Sequence, residues 1–209
     1  MCALLLRPDV HLVTLTGSGG AGKTRVAVAC ALQILDAFSD GVVFVDLAAL
    51  TDSDLVLAAI AQTLGVPESP TQPPTARLAD TLRDQVLLLL DNFEQVLAAA
   101  PAVVELLAAC PQLKVLTTSR VALEVQGEHE WPVPPLALPN RTHLPPFEQL
   151  TQYEALRLFS ERALAANPQF AITTSSAPAI AEICHQLDGL PLAMSSQRRG
   201  RSCLRPRRC

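Results

Sequence analysis

Lysine is almost absent from this 209-residue chain. Two Lys, Lys23 and Lys114, stand beside 14 Arg, and aromatic residues make up only 4% of the sequence. Long apolar runs are missing too. Val86–Leu90 is typical of the longest, far short of the ~20 residues that a membrane span needs. The opening MCALLLR has no cationic stretch and too short an apolar run for a secretory signal. The six Cys (2, 30, 110, 184, 203 and 209) form no CxxC pair and have no nearby His at metal-ligand spacing. This argues against a zinc site or a disulfide framework and predicts small, mostly buried hydrophobes in a cytoplasmic, reduced protein. Half of the chain (49%) is hydrophobic, which excludes intrinsic disorder. The length suits one domain, or one domain with a small appendage.

The acids are missing from one end. All 20 lie at or before Asp188, while the last twelve residues hold six Arg. The formal charge of −4 therefore averages a body with ten basic and 20 acidic residues, net −10, and a +6 tail. A mildly acidic whole argues against a general nucleic-acid binder.

Apolar strands alternate with helical patterns. Strands are expected at His11–Thr16, Val42–Asp46, Val86–Leu90 and Lys114–Thr118. Helices are expected at Lys23–Phe38, at an Asp-capped Ser53–Leu64, at Thr75–Asp84, and at Glu94–Cys110 with a bend at Pro101. Strands alternating with helices of this length imply a parallel α/β sheet. The character changes after Ser119. Trp131–Pro146 contains six Pro and reads as a linker or wrapped loop. Helical patterns follow at Gln152–Ala166 and Ala177–Leu187. Asp188-Gly189-Leu190-Pro191 then forms a junction, with Gly ending one helix and Pro in the first turn of the next. The expected division is 1–146 for a nucleotide-binding α/β domain with a Pro-rich connector, 147–193 for a helical subdomain and 194–209 for a basic, disordered tail.

Gly17-Ser18-Gly19-Gly20-Ala21-Gly22-Lys23-Thr24 matches G-x-x-x-x-G-K-[ST] between a strand and a helix, and Arg25 follows it. Glycines let backbone N–H groups curl around phosphate oxygens, and the helix N-terminus adds partial positive charge. Lys23 is expected on the β/γ-phosphates and the Thr24 hydroxyl on Mg²⁺. Four of the nine Gly and one of the two Lys fall in these eight residues.

Such a site needs an acid at the end of a neighbouring strand to hold Mg²⁺, and Asp91 ends the Val86–Leu90 run. The next residue is Asn92, which can orient a water but cannot take its proton. Glu94 is a substitute base or simply a first-turn residue favoured by the helix dipole; the sequence leaves both readings open. Arg120, following Lys114–Thr118 on the same sheet edge, reads as a γ-phosphate sensor or as half of a surface salt bridge.

With HLVTLTGSGGAGKTRVAVA, VVFVDLAAL, VLLLLDNFEQV, KVLTTSR and DGLPLA in this order, the chain resembles the nucleotide-binding domain of the STAND, or NB-ARC-like, ATPases. It looks most like those of large bacterial LuxR- and SARP-type transcriptional regulators. The resemblance runs from about His11 to Ala193. It implies a P-loop fold with a five-stranded parallel sheet, the Arg120 strand lying between the P-loop strand and the Asp91 strand. It implies ATP/ADP exchange as a conformational switch, with slow hydrolysis and Mg²⁺ as cofactor. Arg120 matches the family's sensor arginine. Pro191 matches the GLPL proline, which lies against adenine, and Trp131–Leu136 resembles the connector that often follows the sensor. Family members continue after GLPLA with an apolar helix, a winged-helix domain whose His senses ADP, and repeats that bind an inducer. Here Met194-Ser195-Ser196-Gln197 and the Arg-rich tail follow instead. The reading is thus a nucleotide-binding core with a truncated helical subdomain, no DNA-binding domain and no membrane association. Self-association through the ATPase domain stays open.

Two other functions remain. One is a P-loop small-molecule kinase, although no Arg-rich lid or acceptor site is visible after Asp91. The other is a truncated fragment with impaired nucleotide binding. The tail itself reads as a basic arm for nucleic acid or acidic lipid, as an inconsequential terminus, or as the product of a shifted reading frame.

Overall fold

The computed structural model describes residues 1–69, 71–82 and 85–196, without the side chains of Ser195 and Ser196. The Arg-rich tail and the end of the expected Thr75–Asp84 helix lie outside the described residues. The chain divides into two compact units, one of Met1–Gly17 with Lys23–Val133, the other of Ser18–Gly22 with the residues from Pro134 onward.

The first unit is a parallel sheet of five strands: β1 Leu12–Thr16, β2 Val42–Asp46, β3 Leu87–Asp91, β4 Lys114–Thr118 and β5 Glu128–Pro132. Their order is β2-β3-β4-β1-β5. The Arg120 strand, β4, therefore lies between β1 and β3, as expected. β1 and β3 are buried along their whole length, which is why β3 reads as an aliphatic run up to its final Asp and β1 as an aliphatic and β-branched one. On one face Leu88, Leu90, Val45 and Val115 pack with α3 (Val56–Thr63), α4 (Pro74–Thr81) and α5 (Ala100–Ala109). Against β1, β3 and β4 lies α2 (Lys23–Gln33). Its buried positions are Lys23, Ala27, Cys30 and Ala31, a helical stripe of mostly small residues that lets the helix sit close to the sheet. A short α1 (Cys2–Leu5) packs on α2.

Several boundaries differ from the sequence reading. The Lys23–Phe38 helix ends at Gln33 and gives way to a 3₁₀ turn at Leu35–Ala37. Asp52 does cap the next segment by accepting from Asp54 N, through a 3₁₀ turn that leads into α3. Glu94–Cys110 is not one bent helix. Two 3₁₀ turns, Phe93–Gln95 and Leu97–Ala99, precede α5, and Pro101 sits in the first turn of α5, where its missing N–H costs nothing. The fifth strand occupies Glu128–Pro132, so the linker assigned from Trp131 begins two residues later. This strand is polar and half-exposed at the sheet edge and ends on Pro, so its pairing with β1 left no apolar signature. Cys30 and Cys110 are buried and Cys2 is half-buried.

The second unit, described by itself, has helices α6 (Phe147–Leu150), α7 (Glu154–Ala166), α8 (Ala177–Gln186) and α9 (Pro191–Ser196). Leu150, Leu156, Ile180, Cys184 and Met194 form its core, with Phe159 edge-on to Phe170 at 6.2 Å. The Pro-rich segment is pinned to α8 and its end. Pro139 O lies 2.7 Å from His185 Nε2, Arg141 pairs with Glu182, and Leu136 N donates to Gly189 O at 3.0 Å. Asp188 and Gly189, at φ +50 and +65, reverse the chain after α8.

Candidate functional site

The ends of β1, β3 and β4 deliver the polar groups. Apolar runs this regular need a polar residue where they leave the core, and three such termini meet at one sheet edge. Thr24 Oγ1, in the first turn of α2, donates to Asp91 Oδ1 at 2.8 Å and lies 3.1 Å from Oδ2. Asp91 is only 5% exposed. Buried carboxylates need donors, and Thr118 Oγ1 supplies a second at 2.5 Å. Asn92 Nδ2 supplies a third at 3.2 Å. A hydroxyl and a carboxylate converging at a helix start form a hard-oxygen donor set suited to Mg²⁺.

Lys23 donates from Nζ to Gly17 O at 2.8 Å. Burial lowers its pKa below the ordinary lysine value. Glu94 and Asp91 oppose that shift and Arg120 adds to it. These four side chains thus share one electrostatic neighbourhood. Arg120 Nε donates to Glu94 Oε1 at 3.1 Å, with the Arg120 side chain largely in solvent and that of Glu94 only 13% exposed. Glu94 Oε2 is buried without a hydrogen-bond partner. Glu94 does occupy a short helical turn, but its carboxylate is tied to Arg120 rather than to that turn's backbone.

Asn92 adopts a left-handed conformation at φ +60. Asn tolerates this region, and the turn aims its amide at two carboxylates, Asp91 Oδ2 and Asp46 Oδ1, the latter at 3.3 Å. Its backbone N–H donates to Thr118 Oγ1. Thr118 and Asp46 escaped the sequence reading. Asp46 pairs in register with Asp91 across β2 and β3, and both Asp end a β-strand of otherwise apolar residues. That repeated pattern was the available signal. Thr118 closes a strand that is buried from Val115 onward, and a buried hydroxyl needs an acceptor.

The glycines of the loop are conformationally required. Gly17, Gly20 and Gly22 have φ of +146, +82 and +95. A Cβ on Gly17 would lie 2.5 Å from Val133 O. Within the second unit, Gly20 O accepts from Leu192 N at 3.2 Å, and a Cβ on Gly20 would sit 3.0 Å from the Leu192 Cβ. The nearest atom to a Cβ on Gly22 would be Pro191 Cγ at 3.9 Å. Ala21 N closes the turn onto Ser18 O at 3.2 Å, with Ala21 buried and Ser18 and Gly19 exposed. Arg25 is exposed beyond the loop.

Residues 10–129 match a family model described as an AAA domain. A Mycobacterium tuberculosis protein provisionally named an HTH-type transcriptional regulator is 41% identical over 188 residues, covering 88% of this chain and 19% of that protein. An uncharacterised protein of the same species is 40% identical over 191 residues, covering 90% of this chain and 45% of its own length. The chain therefore spans less than half the length of these relatives. Among solved structures, Cdc6p from Pyrobaculum aerophilum superposes with a TM-score of 0.54 at 16% identity, covering 92% of this chain and 56% of the other. A STAND protein with a tetratricopeptide repeat sensor from Pyrococcus horikoshii gives 0.50 at 13% identity, covering 92% and 28%. At such identities these two speak to the fold alone, which is the P-loop ATPase fold.

Proposed function

Because the chain belongs to the AAA domain family, we propose that it is the ATP- and ADP-binding switch module of a STAND-type regulatory ATPase, with at most slow hydrolysis. The observation that carries this reading is the meeting of Thr24 Oγ1 and Asp91 at 2.8 Å, beside the buried ammonium of Lys23. On this reading Gly17–Thr24 offers N–H groups to the phosphates and Lys23 neutralises β/γ-phosphate charge. Thr24 and Asp91 are the residues that would hold Mg²⁺, which would supply neutralisation of phosphate charge. Arg120 reports the γ-phosphate, and Pro191 lies toward the base. The order of motifs and the regulator name carried by the 41%-identical relative support a role in signalling or transcription.

Slow hydrolysis has a local cause in this reading. Asn92 cannot take a proton, and its amide is engaged by Asp46 and Asp91. Glu94, the carboxylate next in line, is held by Arg120. The division into a nucleotide-binding part, 1–146, and a helical part, 147–193, belongs to the same proposal.

The test is titration of the purified chain with ATP and ADP, with and without Mg²⁺, followed by thermal unfolding. Binding at a hundred times the dissociation constant stabilises by about 2.7 kcal/mol. No shift with either nucleotide overturns the proposal. Slow phosphate release without an acceptor fits the switch, whereas turnover that depends on an added acceptor points to a kinase.

A further inference from the structure

We propose that Cys2 and Cys30 form a dithiol site that a low-molecular-weight disulfide oxidises to an intramolecular bridge. The two Sγ atoms lie 2.6 Å apart although 28 positions separate them in sequence. That is slightly beyond the covalent S–S length of about 2.05 Å, so bridging asks for little backbone movement. Cys2 opens α1 and is half-buried, while Cys30 sits in α2 on the stripe facing the sheet and is 3% exposed. The contact joins two elements that already pack on each other, and Leu5 anchors α1 with no exposure. Cys110 and Cys184 are buried as well, yet no hydrogen bond or sulfur contact joins either to another cysteine among the described residues.

The exposures assign the order of events. The Cys2 thiolate attacks one sulfur of a glutathione-type disulfide. The S–S bond of the oxidant breaks, a mixed disulfide forms on Cys2, and the first small thiol leaves. Cys30 then gives its proton to solvent and attacks the Cys2 sulfur, releasing the second small thiol. Two protein thiols are oxidised and one small disulfide is reduced to two thiols, so atoms and electrons balance. Burial and the Cys2 contact push the Cys30 thiol up to about 12, which makes it the resolving partner and the second step the slow one. The bridge closes the chain from residue 2 to residue 30. That segment contains β1 and all of Gly17–Thr24, so oxidation staples the helix that carries Lys23 and Thr24 to α1.

The experiment treats the full native chain with oxidised glutathione, quenches in acid, alkylates free thiols under denaturing conditions, and digests with trypsin without reduction. Arg7 precedes Pro8 and resists cleavage, so Cys2 lies in peptide 1–23 and Cys30 in peptide 26–77. The expected product is these two peptides joined, lighter by two hydrogens than their sum and separated by reductant. In Cys30→Ser, the glutathione adduct on Cys2 persists. Three results overturn the proposal: both thiols recovered alkylated, either one joined to a different cysteine or a second copy, or no adduct on Cys2 in Cys30→Ser.

Discussion

Replacing Lys23 by Met keeps most of the side-chain volume and removes the charge, and the surroundings of the ammonium set the size of the effect. Lys23 is 8% exposed, and its ammonium donates to Gly17 O at 2.8 Å. Losing a hydrogen bond to a charged group costs about 1.5–3 kcal/mol, and relief of a buried charge offsets much of it. The unliganded variant should therefore unfold within a few degrees of the wild type. On the proposed role the same ammonium makes charge-assisted bonds to phosphate oxygens in the complex. A loss of about 3 kcal/mol raises the dissociation constant roughly 150-fold. At an ATP concentration of a hundred wild-type dissociation constants, wild-type stabilisation of about 2.7 kcal/mol then falls to about 0.3 kcal/mol. At about 2–4 °C per kcal/mol for a chain of this size, the Mg·ATP shift drops from roughly 5–11 °C to about 1 °C. Differential scanning fluorimetry of both proteins, with and without Mg·ATP, reads this directly. A Lys23→Met variant that keeps the full shift refutes the placement of the phosphates on Lys23.

Asp91→Asn should make ATP affinity insensitive to Mg²⁺ while leaving binding in EDTA near the wild-type value, as calorimetry in the two buffers would show; a retained Mg²⁺ effect places the ion elsewhere. Gly189→Ala puts a Cβ 2.5 Å from Leu136 O at φ +65, and should lower stability by about 2–3 kcal/mol, seen as faster hydrogen exchange in α8 and α9; unchanged exchange refutes it. Because burial lowers the Lys23 pKa, the folded chain releases this proton before the unfolded chain does. Between the folded value and 10.5 the unfolded chain binds more protons, so the Lys23 contribution to stability rises with pH, while triphosphate affinity falls. A pH series of ATP titrations in the wild type and Lys23→Met checks the difference, which should vanish at high pH.

The strands β1, β3 and β4 were legible because burial on both faces selects aliphatic and β-branched residues, and the G-x-x-x-x-G-K-T spacing was legible because phosphate binding restricts both residue type and order. The strand β5 was not, since an edge strand is specified by backbone pairing with β1, which EHEWP satisfies without an apolar face. Helix ends failed for a related reason. The apolar period continues past Gln33 and begins before Ala100, but periodicity does not distinguish α-helix from the 3₁₀ turns at Leu35–Ala37 and Phe93–Gln95. At the site, Asp91 and Arg120 could be named because Asp91 ends one strand and Arg120 closely follows another, whereas the Thr118 bridge to Asp91 and Asn92 depends on the side-by-side placement of β3 and β4.

That bridge also bears on how a switch of this kind would work. The polar groups of the site pair with one another: Thr24 donates its hydroxyl to Asp91, Lys23 its ammonium to Gly17 O, and Arg120 its Nε–H to Glu94 Oε1. A phosphate or Mg²⁺ contact that displaces the Thr24–Asp91 bond, or draws Arg120 away from Glu94, yields only the difference between the two. ATP and ADP differ in this respect at one residue in particular. On the proposed roles, only a γ-phosphate competes for Arg120, because the Lys23 and Thr24 contacts are available to both nucleotides. Removing Glu94 should accordingly favour ATP over ADP, since Arg120 no longer has to leave an anionic partner that lies at 3.1 Å. The ratio of ATP to ADP dissociation constants in Glu94→Gln against wild type measures this competition. A ratio that does not move would mean that Arg120 stays on Glu94 in both complexes and does not sense the γ-phosphate.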